Sequence, residues 1–167
     1  SGPVHCEAPP GVVLVPVETT QEMLDASMAA SDDADIFIGA AAVVDFRPES
    51  VATQKIKREG STTMDLKLVS NPDIIASIAA RQVRPSLVVG FAAETNDVTT
   101  YARNKLKKKR LDFIFANDVS DSAIGFNSDS NAGTLISADN DITMALSSKR
   151  VLAETMITEL AKHLPET

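Results

Sequence analysis

Hydrophobic positions along the chain switch between short continuous runs and helical spacing, a rhythm that predicts an α/β domain. Residues 12–17 (VVLVPV) form a short apolar run that predicts a strand, with Pro16 suggesting an edge or a strand end. Thr19-Thr20-Gln21-Glu22 matches a capping box, in which a hydroxyl and a carboxylate three residues apart satisfy free N–H groups at a helix start. The helix should run to about Ser31 with Met23, Leu24 and Met28 inward. Residues 35–42 open with Ile36-Phe37-Ile38, too short for a helix and suited to a strand buried on both faces, which completes a βαβ unit. Asn71-Pro72-Asp73 predicts the next helix, with Asn71 as N-cap and Ile74, Ile75, Ile78 and Ala79 inward until Arg84-Pro85. Residues 86–91 predict another buried strand, residues 97–109 a helix capped by Asn96, and residues 111–115 a further strand. Residues 134–137 and 142–146 predict a hairpin around Asp139-Asn140-Asp141. A last helix from Ser147 or Ser148 places Leu152, Met156 and Leu160 on one face.

Residues 46–70 interrupt this rhythm. The alternation Met64-Asp65-Leu66-Lys67-Leu68 after Gly60-Ser61-Thr62-Thr63 predicts a β-hairpin or flap with a mobile tip. The whole order predicts a Rossmann-like, three-layer α/β domain with a mostly parallel sheet and a protruding flap. Residues 1–167 carry no internal repeat and no sign of a second domain.

Composition narrows the function classes. Net charge is −7, which argues against nucleic-acid binding by the whole surface, and the absence of Trp argues against a base-stacking platform. One cysteine, Cys6, rules out an internal disulfide and fits a reducing, cytoplasmic compartment. The longest apolar runs are about ten residues, roughly half a membrane span, and no secretory leader opens the chain. Two histidines near opposite ends, His5 and His163, and one cysteine make no metal-ligand cluster. GxSxG, HExxH, Walker A and GxGxxG are all absent.

Candidate chemistry gathers where ligands sit in open α/β sheets, outside the carboxyl ends of the strands. Gly39 and Ala40-Ala41-Ala42 keep side chains small there, and Asp45 ends the run. Asp45 could meet a ribose hydroxyl, a base or a metal, or simply end a strand in a turn. Lys55 and Lys57 lie on the flap. The helix start at 72–75 offers free N–H groups, and Tyr101, Lys105 and Lys109 fall on one stripe of the next helix. Arg103, Lys107, Lys108 and Arg110 thicken this into a basic segment on an acidic chain, which is also what an ordinary solvated face looks like. Asn117-Asp118 and the GFNSDSN loop with Phe126 and Asn127 share the ambiguity, since Asn and Asp favour turns for their own backbone reasons. These features suggest a polyanion site. A nicotinamide-dependent oxidoreductase on the same fold and a non-catalytic nucleotide-binding or dimerisation module are the rival readings.

The stretches AAVVDFRP, KIKR, NPDI, VVGFAAET, YARNKLKKKRLD, ANDV and GFNSDSNA occur in an order and spacing that resemble bacterial phosphopantothenoylcysteine synthetase. This is the ligase domain of the bifunctional flavoprotein of coenzyme A biosynthesis. The resemblance implies a ligase that joins 4′-phosphopantothenate to cysteine with CTP and Mg²⁺, through an acyl-cytidylate, releasing CMP and pyrophosphate. It implies Asp45 as a CTP ligand and Lys55 as the lysine needed for turnover. It further implies main-chain nucleotide contacts at Pro72, Asp73, Ile74 and Ile75, a nucleotide-pocket role for Phe91, and phosphate contacts from Lys105 and Lys109. Ala41 and Ala42 match the turn beside the cytidine, and Asn117, Asp118, Phe126 and Asn127 a substrate or cytidine loop. It also implies a homodimer and fusion to a decarboxylase domain carrying FMN. Family members carry a further strand and a glycine-rich loop before the SGPV turn, so the chain is expected to be an N-terminally truncated ligase domain.

Overall fold

The structure is a computed structural model describing residues 1–4, 7–58, 60, 62–94, 97–118 and 128–165. Its centre is a sheet with strand order β1-β4-β5-β6-β7, formed by β1 (Ile36–Gly39), β4 (Leu87–Glu94), β5 (Phe113–Asp118), β6 (Ser130–Ile136) and β7 (Asp141–Ser148). β1, β4 and β5 run parallel, and β6 and β7 close the far side as antiparallel strands. Successive side chains of a strand point to opposite faces, and the apolar runs of β4 and β5 bury both. Val88, Ala92, Ile114 and Ala116 pack against α2 (Ile74–Ala79) and α3 (Val98–Lys109), with Met28 of α1 (Thr20–Ala30) at the margin. Leu87, Val89, Phe113 and Phe115 pack against Leu152, Met156 and Leu160 of α4 (Lys149–Ala161). The result is the expected three-layer arrangement, with α1, α2 and α3 on one face and α4 on the other.

Local chemistry sets the element ends. Thr19 and Glu22 form the expected capping box: Thr19 Oγ1 accepts the Glu22 N–H at 3.1 Å, while Glu22 Oε2 accepts the N–H groups of Glu18 at 2.8 Å and Thr19 at 3.1 Å. Those N–H groups, Glu18's foremost, hold the Glu22 carboxyl below its ordinary range. Ser148 caps α4. α3 ends because Arg110 turns into the left-handed region at φ 57°, which stops a helix.

Five expectations need correction. Residues 12–17 form no strand. Their described main-chain bonds run from the Val12 N–H to Pro9 O at 3.2 Å, from the Val17 N–H to Ser1 O at 3.0 Å and from the Ser1 ammonium to Val15 O at 2.7 Å. Val12, Val13, Leu14 and Val15 therefore stay exposed. The second strand is shorter than 35–42 and only half-buried, because β1 stands at the edge of the sheet. The cap of α2 is Asp73 rather than Asn71, and the helix stops at Ala79. Asp97 in the left-handed region precedes α3, whereas Asn96 lies outside the described residues. The flap is a short antiparallel pair, β2 (Phe46–Pro48) with β3 (Leu68–Ser70), and the described residues between them have no regular structure.

Candidate functional site

Two glycines face each other across neighbouring strands, Gly39 at the end of β1 and Gly90 in β4. A Cβ on Gly39 would come within 3.0 Å of Ile75 Cδ1, and one on Gly90 within 2.8 Å of Leu111 Cδ1. Both positions need bare backbone because the Ile75 and Leu111 side chains already fill the space a Cβ would take. Beside this packed contact lies a cavity of about 340 Å³. Phe37, Gly39, Gly90 and Ile114 form part of its lining, and Ala41 and Asp45 belong to the segment following β1.

That segment is pinned by Asn71 and Arg47. The Asn71 side chain, freed from capping, donates to Val44 O at 2.9 Å, and its backbone N–H donates to Asp45 O at 2.8 Å. Arg47 Nη1 donates to Ser70 O at 2.9 Å and to Asn71 Oδ1 at 3.0 Å. Asp45 is thereby tied through its main chain to the approach of α2, with its side chain exposed at the cavity. Pro72, Asp73, Ile74 and Ile75 bring the first turn of α2 to the same space, and Lys105 and Lys109 enter it from α3. Lys109 Nζ lies 2.9 Å from Asp73 Oδ2. Tyr101, from the same stripe, is exposed and lines neither this cavity nor the next, while Arg103 pairs with Asp141.

A second cavity of about 670 Å³ adjoins β1 on the α4 side. Ala42 and Asn117 line it, together with Asn131 from the GFNSDSN stretch, Met156 from the inward face of α4, and Lys149, which no sequence signal had marked. Asn117 is buried and its Nδ2 donates to Asn131 Oδ1 at 3.4 Å. Phe91 and Ala41 line both cavities, and the Phe91 ring sits 5.4 Å from that of Phe115. Lys55 and Lys57 line neither; they are exposed on the irregular stretch between β2 and β3. The Asp118 backbone pairs with Glu94 at the end of β5. Phe126 and Asn127 lie outside the described residues. Among the described residues no group of three or more His, Cys, Asp or Glu is disposed to hold a metal ion, and no helix is long and apolar enough to cross a membrane.

This arrangement has relatives. The family model for the DNA/pantothenate metabolism flavoprotein C-terminal domain matches residues 1–164. The chain belongs to this family. Among curated members of similar sequence, the coenzyme A biosynthesis bifunctional protein CoaBC of Vibrio parahaemolyticus is 51% identical over 154 residues, covering 92% of this chain and 39% of the relative. CoaBC of Escherichia coli strain K12 is 45% identical over 168 residues, covering 99% of this chain and 41% of the relative. The chain thus spans about two fifths of the length of these bifunctional relatives. The crystal structure of the C-terminal domain of a CoaBC protein superposes with a TM-score of 0.78 at 30% identity, covering 97% of this chain and 73% of that one. A DNA/pantothenate metabolism flavoprotein from Streptococcus pneumoniae shares the fold at a TM-score of 0.74 and 19% identity.

Proposed function

We propose that this chain is the nucleotide-binding part of a phosphopantothenate–cysteine ligase. It activates 4′-phosphopantothenate with CTP as an acyl-cytidylate, and cysteine's amine then attacks the activated carbonyl. What supports the reading most is the convergence of Asp45, the start of α2, Lys105 and Lys109 on one glycine-floored cavity in a chain of this family. A carboxylate attacking the α-phosphorus of CTP sets anion against polyanion, so positioning and charge neutralisation dominate the catalysis. In this scheme Lys105, Lys109 and the N–H groups at 73–75 hold phosphate oxygens. Asp45 and the turn at Ala41-Ala42 receive the cytidine end, and Phe91 walls it. Lys55 neutralises the charge that develops on the α-phosphate and the acyl oxygen, which requires the stretch between β2 and β3 to fold over the nucleotide and exclude water.

Magnesium suits this donor set. The ion is usually carried by substrate phosphates and one or two carboxylates. The cavity offers Asp45 for this, because both oxygens of its other acid, Asp73, are already engaged by Ala76 and Lys109. When bound it would offset phosphate charge. Asn117, Asp118, Phe126 and Asn127 are assigned to the substrate or cytidine side, toward the second cavity. Residues 1–167 act as one ligase unit, cytoplasmic, homodimeric, and joined in the complete protein to a flavin-dependent decarboxylase, a fusion that the bifunctional relatives support.

Calorimetric titration with CTP·Mg²⁺, ATP·Mg²⁺ and NADH tests the reading. CTP binding to the cavity is the expected result, weakened by Lys105→Ala; unchanged CTP affinity in that variant would count against its role. Binding of NADH alone would replace the ligase with a reductase, and no binding at all would leave an assembly module. Cysteine-dependent pyrophosphate release by the complete enzyme tests the chemistry itself.

A further inference from the structure

Asp73 does two things in the cavity wall. One oxygen, Oδ1, accepts the Ala76 N–H at 3.1 Å and caps α2, while the other, Oδ2, lies 2.9 Å from Lys109 Nζ. Its main chain is fixed as well, because Ser77 Oγ donates to Asp73 O at 2.7 Å. Lys109 is held equally firmly at its base. It is the last residue of α3, and Arg84 Nη1 donates to the carbonyl of the next residue, Arg110, at 3.1 Å. The same guanidinium grips both oxygens of Asp112, at 2.8 and 2.9 Å. The lysine therefore has a fixed stem and a tethered tip.

Capping alone does not call for a carboxylate, since asparagine and serine cap a helix as well as aspartate does. The second oxygen is what distinguishes Asp73, and it is aimed at the one cation that lines both cavities. With side chains 46% and 29% exposed, the pair is a partly solvated one, weak enough to be exchanged. A polyphosphate carries several negative charges and outcompetes one carboxylate for an ammonium.

We infer that Asp73 is a positioning residue that holds Lys109 over the cavity in an exchangeable ion pair, which an incoming nucleotide polyphosphate displaces while Asp73 remains the cap of α2. The inference rests on the nucleotide reading above. In the empty site the pair keeps the lysine from folding back along its own helix or onto another acid. On binding, the carboxylate gives up the ammonium and becomes a nearby negative charge, so the tether that aims Lys109 also limits affinity.

Titration of CTP·Mg²⁺ into the wild-type chain and into Asp73→Asn and Asp73→Ser separates these roles. Both variants keep a capping oxygen and lose the charge, so their melting temperatures stay near wild type while that of Asp73→Ala falls. Their CTP affinity is expected to rise about two- to fivefold at low ionic strength, the size of one partly exposed ion pair. The gain should fade as salt is raised, because it is Coulombic. Affinity that is unchanged or weaker in both capped variants at every salt concentration overturns the exchange and leaves the nucleotide site standing. A wild-type chain that binds no CTP overturns both.

Discussion

Single residues carry the chemistry, and their legibility depended on how far each role is local. Gly39, Ala41, Asp45 and the lysines of α3 stood out because small residues beside an acid, and lysines four apart on a helix, are patterns within one element. Asn71 was misread for a physical reason: Asn and Asp both cap helices, and only the fold decides which one finds another duty. Here Asn71 is drawn to Val44 O and Arg47, which leaves the cap to Asp73 two residues on. Lys149 was invisible because it reaches the second cavity through helix docking, not through any local motif. Lys55 stands apart from both cavities, so its assigned role makes a demanding prediction. In the complete enzyme, Lys55→Gln should lower turnover about 10²- to 10³-fold, the usual effect of removing one donor to a developing charge. CTP affinity should change much less. Single-turnover formation of the acyl-cytidylate reads this directly, and a rate within a few-fold of wild type would remove Lys55 from the chemical step.

At the scale of elements, strong signals were those in which several local preferences agree. α1 begins where its capping box said, and α4 begins at Ser148 with Leu152, Met156 and Leu160 buried. Residues 12–17 failed because strand propensity is only a preference for a pleated, partly buried surface, and pairing partners must supply the rest. Among the described residues that stretch finds hydrogen-bond partners in Ser1 and Pro9 but no paired strand, so the run stays wet. The capping box of α1 yields a pH dependence of known sign. The folded-state pKa of Glu22 is depressed, so its contribution is present above the unfolded-state pKa and disappears as pH falls through the lower, folded-state value. Glu22→Ala should therefore melt below wild type at neutral pH, and the two curves should converge in acid below the carboxylate range. A difference that persists undiminished in acid would show that the carboxylate charge is not what stabilises the helix start.

For the whole molecule, the three-layer order and the mostly parallel sheet were legible from the alternation of runs and helices. Parallel β1, β4 and β5 carry the expected hairpin, antiparallel β6 and β7, on their far side. The β2–β3 pair leaves Val44, Phe46, Met64, Leu66 and Leu68 exposed, more apolar surface than one small hairpin needs. If a second copy covers that surface, as the proposed homodimer requires, Phe46→Glu together with Leu66→Glu should shift the mass in solution to that of a monomer without lowering helix content. A wild-type chain that is already monomeric at micromolar concentration would remove the dimer. Arg84 gives the fold a further property. Its grip on Asp112 and on the Arg110 carbonyl settles where α3 stops, and hence from which point Lys109 reaches out. Random mutagenesis scored for lost nucleotide affinity should for that reason return substitutions at a guanidinium that no nucleotide touches, and suppressors of them at the turn leading into β5.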